Sequence, residues 1–179
     1  NDSVTREAIT RKQERDFLEF VKNDKHFSRY YDGIFILFKT GLRISEFVGL
    51  TVRDIDFENS RIIVDHQLQR TRNMEYVIED PKTGCGTRMV PMTPEVKESF
   101  ARILANRKPP KAEPVVQGYS GFLFLDKNGR ADAQGYAARL PSHVLLQHGE
   151  IRDEPQDAAI HNGSQRYWRD AQHLHTSRL

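Results

Sequence analysis

Residues 40–46 read Thr-Gly-Leu-Arg-Ile-Ser-Glu, and this run marks the point at which one helix ends and another begins. Gly41 predicts the end of the first helix, because glycine readily adopts the left-handed backbone that closes many helices. Before it, large apolar residues recur at the spacing of a buried helix face: Phe27, Tyr30, Tyr31, Ile34, Phe35 and Phe38. After it, residues 43–49 predict a short helix that begins near Arg43.

Two further helices are indicated by their first residues. Thr10 and Gln13 have the spacing of a capping box, which predicts a helix start at Thr10. Thr93 followed by Pro94 predicts another start, because threonine caps helices and proline fits their first turn. Pro109 then ends this helix.

Three short segments predict a small antiparallel sheet between these helices. They are residues 61–65, 74–79 and 87–90. We expect the polar residues 67–73 to join the first two as an irregular hairpin, and a turn containing Lys82 to join the last two. Residues 122–125, Phe-Leu-Phe-Leu, predict a further brief buried strand. The fold class is therefore α+β, mainly helical with a small three-stranded antiparallel sheet.

Length and charge limit the possible classes of protein. A chain of 179 residues is long enough for one buried core, so we expect a single domain over residues 1–179. Residues 150–179 are a tail to which the sequence assigns no firm structure. The 27 Lys and Arg nearly balance the 25 Asp and Glu, which excludes a strongly basic overall field. Any binding of nucleic acid would then depend on individually placed cations.

The sequence also carries signals about location. The single cysteine, Cys85, excludes an internal disulfide framework and a cysteine-rich zinc site. No apolar stretch is long enough to cross a bilayer, and the polar N-terminus does not have the pattern of a signal peptide. These features predict a cytoplasmic protein with no membrane partner. The first residue is Asn rather than Met, so we expect a piece of something longer.

Two motifs in this sequence resemble those of tyrosine recombinases, the phage and transposon integrase family. Residues 40–46 are similar to the family signature that carries the first catalytic arginine, and residues 50–57 follow its usual continuation into the sheet. Residues 81–91, Pro-Lys-Thr-Gly-Cys-Gly-Thr-Arg-Met-Val-Pro, resemble the strand–turn–strand that carries the catalytic lysine. The resemblance covers about residues 10 to 126 and is strongest to integrases of conjugative transposons.

The resemblance assigns chemical roles to two cations. Arg43 would hold the phosphate that is cleaved, since a guanidinium presents paired donors to two phosphate oxygens, and Glu46 would orient it. Lys82 would protonate the leaving 5′ oxygen. The alternatives are a surface arginine paired with Glu46 and a solvated turn lysine. We interpret Arg88 as a DNA-backbone or solvent contact without a catalytic role.

The C-terminal part departs from the family pattern. His143 is the candidate for the histidine of the family's His-x-x-Arg pair, but Leu146 stands where the arginine belongs. Trp168 falls near the place of the downstream His or Trp, with a packing aromatic as the alternative. Tyr167 is the candidate nucleophile, although it precedes Trp168 instead of following it by two helical turns. A half-buried surface aromatic is the alternative for Tyr167.

Three functions are compatible with these residues. The resemblance implies a recombinase that cleaves and rejoins duplex DNA through a 3′-phosphotyrosyl intermediate, without metal or cofactor, as a homo-oligomer on DNA. The departure at Leu146 favours a second hypothesis, a catalytically incomplete DNA-binding domain of the same fold. The third is an unrelated phosphate- or protein-binding domain, for which the small net charge of +2 is the main argument.

Overall fold

The computed structural model describes residues 10–73, 75–79, 87–126 and 128–131. The α-helices of this part are α1 (Arg11–Asn23), α2 (Tyr31–Thr40), α3 (Ile44–Gly49) and α4 (Pro94–Asn106). Short 3-10 turns lie at Ser28–Tyr30 and Val52–Asp54. The strands are β1 (Ile55–Asp56), β2 (Arg61–Val64), β3 (Gln67–Arg70), β4 (Tyr76–Glu79) and β5 (Arg88–Pro91).

The helix ends follow the local signals in the sequence. The Thr10 hydroxyl accepts a hydrogen bond from the backbone of Gln13 at 3.2 Å, and the Gln13 side chain accepts one from the backbone of Thr10 at 2.8 Å. At α4 the Thr93 hydroxyl accepts from the backbone of Val96, and Pro94 occupies the first helical position. The predicted capping box and the predicted start of α4 are therefore confirmed.

The strands form two sheets where the sequence predicted one. A three-stranded antiparallel sheet has the order β1–β2–β5, with Ile62 opposite Val90. Strands β3 and β4 pair only with each other, with Leu68 opposite Ile78. The expectation that residues 67–73 would be an irregular connection, and that 74–79 would lie within the larger sheet, is wrong. The polar segment of β3 becomes a strand because its one apolar residue, Leu68, is buried.

The core lies between the helices and the three-stranded sheet. Helix α2 packs against α4, and both contribute side chains that are fully buried. Phe47 from α3 packs against Phe124, with 4.5 Å between ring centroids. Burying aromatic side chains from distant parts of the chain in one cluster supplies most of the stabilisation of such a fold.

Residues 122–124 are buried and Leu125 is partly buried, but they do not form a strand as predicted. The backbone of Leu123 donates to the carbonyl of Leu50 at 3.0 Å, and Phe122 makes an isolated bridge with Thr51. Through these few backbone contacts, the segment covers Leu50 and Thr51, the residues that follow α3. No helix in the described part of the chain has both the length and the apolar character needed to span a bilayer.

Candidate phosphate-binding site at the start of helix α3

The turn between α2 and α3 places Arg43 at the surface. Gly41 adopts a left-handed backbone with φ of 66° and ends α2, as the sequence predicted. Leu42 then turns fully into the core, so that the next residue faces outward. Arg43 is the N-cap residue of α3, and 62% of its side chain is exposed. A cation is thus fixed at its base and open to a ligand at its tip.

Glu46 lies beneath Arg43 and is the centre of a three-residue cluster. Its carboxylate is buried, and its Oε2 accepts from the backbone N–H of Arg43 at 2.8 Å. Its Oε1 accepts from Nη1 of Arg43 at 3.0 Å. The predicted orienting role of Glu46 toward Arg43 therefore has a direct geometric basis.

Arg88 completes this cluster from strand β5. Its Nη1 donates to Oε1 of Glu46 at 2.8 Å and its Nη2 donates to Oε2 at 2.7 Å, which is a paired, fork-like contact. The interpretation of Arg88 as a DNA-backbone or solvent contact needs correction, because its guanidinium is committed to Glu46. The alternation of side chains along β5 could have indicated this inward position of Arg88. Arg88 and Val90 lie on the less exposed face of the strand, and Met89 lies on the exposed face.

The electrostatics of the cluster favour a charged carboxylate. Burial raises the pKa of Glu46, but the hydrogen bonds from Arg88 and Arg43 and the charge of Arg88 outweigh that effect and hold the pKa below its ordinary value. The same pair raises the pKa of Arg88. Two guanidiniums against one carboxylate leave one net positive charge, and Arg43 is the more exposed of the two cations. An anion is the natural ligand for that arrangement.

Strand β3 packs directly against α3 and fixes its position. A Cβ on Gly49 would lie 2.9 Å from the backbone nitrogen of Leu68, so only glycine allows this close approach. Ser45 donates to Oε1 of Gln67 at 3.1 Å, and the amide of Gln67 donates to Glu79 at 3.2 Å. A polar chain thus runs from α3 across β3 to the last residue of β4.

The other end of α3 is held by a buried histidine that the sequence analysis missed. One ring nitrogen of His66 lies 2.9 Å from the carbonyl oxygen of Gly49, and the other lies 2.5 Å from the Asp65 carboxylate. The ring also packs on Tyr119, with centroids 4.2 Å apart. A lone histidine after a strand gives no sequence signal, because only the fold brings its partners to it.

Asp54, Asp65 and His66 bring one ligand atom each within 4.8 Å of one another, which is the only such group among the described residues. Their atoms have protein partners, since Asp54 accepts from the backbone and hydroxyl of Thr51 at 2.6 and 2.8 Å. Burial raises the pKa of Asp54 despite these hydrogen bonds. The group acts as an internal polar link between α3 and the sheet.

Of the predicted site residues, the structure places Arg43. Lys82, His143, Tyr167 and Trp168 lie outside the described residues, and so does Leu146. Glu79 precedes residues 80–86, and Thr87 followed by Arg88 comes after them. Glu79 is fastened to α3 through Gln67, and Arg88 through Glu46. The residues on either side of the stretch that contains Lys82, Glu79 and Arg88, are therefore both linked to helix α3.

Comparison with protein families identifies the class. The model of the phage integrase family matches residues 7–174, which is most of the chain. The chain belongs to the phage integrase family. The fold and the motif around Arg43 agree with this assignment, and the predicted resemblance to tyrosine recombinases is confirmed.

The similar proteins come from mobile elements. The transposase from transposon Tn916 of Enterococcus faecalis is 51% identical over 127 residues, which are 71% of this chain and 31% of that protein. The transposase from transposon Tn1545 of Streptococcus pneumoniae matches with the same values. The chain therefore spans about a third of the length of these curated relatives.

Solved structures show the same relationship. The integrase of transposon Tn1549, in complex with a circular intermediate DNA, is 40% identical with a TM-score of 0.73. The match covers 86% of this chain and 48% of that one. The XerA recombinase is 18% identical with a TM-score of 0.55 over 85% of this chain and 46% of its own, which shows a shared fold. The predicted α+β fold class is confirmed.

Proposed function

We propose that this chain is the catalytic part of a site-specific DNA recombinase that cleaves and rejoins DNA through a 3′-phosphotyrosyl link. The observation that carries the proposal is Arg43, an exposed guanidinium held at the start of α3 by a buried carboxylate. The similar Tn1549 integrase was solved with DNA, which supports duplex DNA as the partner. Assembly of several copies on paired DNA sites belongs to the same proposal.

The reaction needs charge stabilisation on one phosphate. A tyrosine hydroxyl gives up its proton while its oxygen attacks the phosphorus and forms a P–O bond, and the bond to the 5′ oxygen breaks as that oxygen takes up a proton. Negative charge grows on the non-bridging oxygens, where Arg43 supplies positive charge that never titrates away. The 5′ hydroxyl of a second strand later reverses the attack and releases the tyrosine, so the bond energy is conserved without a nucleotide cofactor.

The other roles in this proposal come from sequence. Lys82 protonates the leaving 5′ oxygen, and the links of Glu79 and Arg88 to helix α3 support that role. His143 and Trp168 are the proposed partners at the phosphate, and Tyr167 is the proposed nucleophile. We propose one domain for the whole chain, with these residues brought to Arg43.

A second candidate is a DNA-binding module without cleavage. It is favoured by Leu146, because a leucine cannot bind phosphate where the family has its second arginine. Losing one of two guanidiniums at a phosphate costs several kcal/mol, or about a hundredfold or more in rate. The two candidates share the fold and the DNA partner, and they differ only in chemistry.

A trapping experiment separates the two candidates. Duplexes selected from a random pool by this chain would be nicked next to each phosphate in turn, so that the cleaved fragment diffuses away and the covalent complex accumulates. Recombinase activity predicts a complex that survives denaturing electrophoresis and is lost in Tyr167→Phe. Tyr136→Phe is the matched control, since it removes another tyrosine hydroxyl of the C-terminal third. Binding without a covalent complex would favour the second candidate, and no binding would reject both.

A further inference from the structure

The contacts of Glu46 are divided unequally between its two arginines. Arg88 donates to both carboxylate oxygens through two nitrogens. Arg43 uses Nη1 alone among its side-chain nitrogens toward the described residues, and its backbone N–H takes the other oxygen. The carboxylate thus accepts four hydrogen bonds, which is about its full capacity.

This division decides how much of Arg43 remains for a ligand. A carboxylate three residues along a helix is within easy reach of an arginine and pairs with it readily. If the oxygens of Glu46 were open, the planar guanidinium of Arg43 would turn to form a paired contact with both of them. Its donors and its charge would then be used inside the protein, and a phosphate would have to compete with a buried carboxylate.

We propose that Arg88 is a positioning residue for DNA cleavage: by occupying both oxygens of Glu46, it restricts Arg43 to a single side-chain tether and leaves the rest of its guanidinium for the scissile phosphate. The inference rests on the proposed function, and it assigns Arg88 a role through Arg43 without contact to DNA. Charge compensation alone would require only a cation near Glu46. The fork-like geometry goes beyond that requirement.

Four variants of this chain test the inference with a nicked substrate, at saturating protein and at a temperature where circular dichroism shows each variant folded. Arg88→Ala is expected to lower the rate constant for cleavage in the bound complex by about tenfold or more, with little change in DNA affinity. Arg88→Lys keeps the charge but lacks the fork, so it should also be slow. Arg102→Ala is the matched control, because Arg102 pairs with Asp32 between α4 and α2.

The decisive variant is Arg88→Ala combined with Glu46→Gln. Glutamine still offers an oxygen to the backbone N–H of Arg43 but no longer attracts its guanidinium, so the double variant should cleave faster than Arg88→Ala. A double variant no faster than Arg88→Ala, or an Arg88→Lys variant as fast as the unmodified chain, would overturn the positioning role.

A readout without DNA keeps this inference separate from the proposed function. Nitrogen-15 spectra of the Arg43 side chain report whether rotation about its Nε–Cζ bond is restricted. We expect slower rotation of the terminal nitrogens in Arg88→Ala than in the unmodified chain, where one nitrogen is tethered, and faster rotation again in the double variant. Unchanged spectra in Arg88→Ala would refute the inference even if the chain cleaves DNA. A chain that cleaves nothing but shows these spectra would refute only the proposed recombinase activity.

The pH response gives a second check on the same atoms. The charges that act on the Glu46 carboxylate are those of Arg43 and Arg88, and the neighbouring strand β3 contributes Arg70 as its one charged side chain. Without Arg88, less positive charge opposes the effect of burial, which raises the pKa of Glu46. Acidification should then protonate Glu46 and release Arg43. Cleavage by Arg88→Ala should therefore accelerate, relative to the unmodified chain, as the pH falls toward the ordinary glutamate range. A constant ratio across that range would count against the inference.

Discussion

The two ends of helix α3 hold charged clusters of opposite design. At its start, a buried carboxylate supports Arg43, whose side chain is 62% exposed. At its end, His66 is almost fully buried and both ring nitrogens face protein acceptors. The first cluster keeps a cation available to the outside, whereas in the second the ring of His66 is enclosed and the Asp65 carboxylate is its exposed partner. One end of this six-residue helix thus presents the cation to which we assign the proposed phosphate contact, and the other end fastens the helix to the sheet.

The largest expected effect is on the rate of DNA cleavage when Arg43, at the start of α3, is replaced. Arg43→Ala should lower cleavage in the bound complex by about a hundredfold or more, because it removes a donor that acts on the charge of the transition state. Duplex affinity should change much less. Single-turnover cleavage of a nicked substrate and a filter-binding titration measure the two quantities. Loss of affinity with an unchanged rate in the bound complex would show that Arg43 only holds DNA.

Substitution of His66, at the other end of α3, should affect stability instead of cleavage. His66→Leu leaves the Gly49 carbonyl and the Asp65 carboxylate without their ring partner, which should lower the free energy of unfolding by about 2 to 3 kcal/mol. Urea denaturation measures this. The exposed His26 provides the control, and His26→Leu should change stability by less than about 0.5 kcal/mol. A His66→Leu variant as stable as the parent would remove the contrast between the two ends.

The close contact between α3 and β3 is made by Gly49, at the same end of α3 as His66. In Gly49→Ala the new methyl group would meet the backbone of Leu68, which cannot move like a side-chain tip. We expect a cost of about 1 to 3 kcal/mol from the forced shift. Gly41→Asn is the control, because a Cβ at Gly41 meets nothing within 4 Å and asparagine tolerates the left-handed backbone. Equal melting temperatures for the two variants would contradict the close approach.

The smallest expected effects concern how the free energy of unfolding depends on pH, and they have opposite signs at Glu46 and Asp54. The pKa of Glu46 is lowered by its arginine partners, so its stabilising contribution is present above its ordinary pKa of 4.5 and disappears as the pH falls through the folded value. The pKa of Asp54 is raised by burial, so its unfavourable contribution fades as the pH falls through the raised value toward 3.8.

Unfolding curves between about pH 3 and 7 would show these trends. Glu46→Gln should reduce the loss of stability in acid, and Asp54→Asn should increase it. The two substitutions are controls for each other because both replace a carboxyl with an amide. Slopes that change in the same direction would contradict the assigned shifts.

Local signals predicted the helices well. The capping box at Thr10, the proline start of α4 and the left-handed Gly41 depend on residues within one turn, so the sequence alone contains the necessary information. Strand pairing depends on partners far along the chain, and the polar β3 gave a weak strand signal. The sheet partners of residues 74–79 were therefore predicted wrongly.

The site was predicted unevenly for the same reason. Arg43 and Glu46 are three residues apart on one helix, and their contact follows from helical spacing. Arg88 reaches Glu46 across 42 positions, which only the fold can reveal. Lys82, His143, Tyr167 and Trp168 stay predictions from the family resemblance.

The shared anchor of β4 and β5 has a consequence for the chain between them. Eight residues separate Glu79 from Arg88, and both of these ends are tied to the same short helix. Closing a chain between two fixed points costs entropy that rises only slowly with the length of the chain. The contacts of β3 and β5 with α3 bring the two ends together, so the described part of the fold meets this cost before Lys82 plays its proposed part.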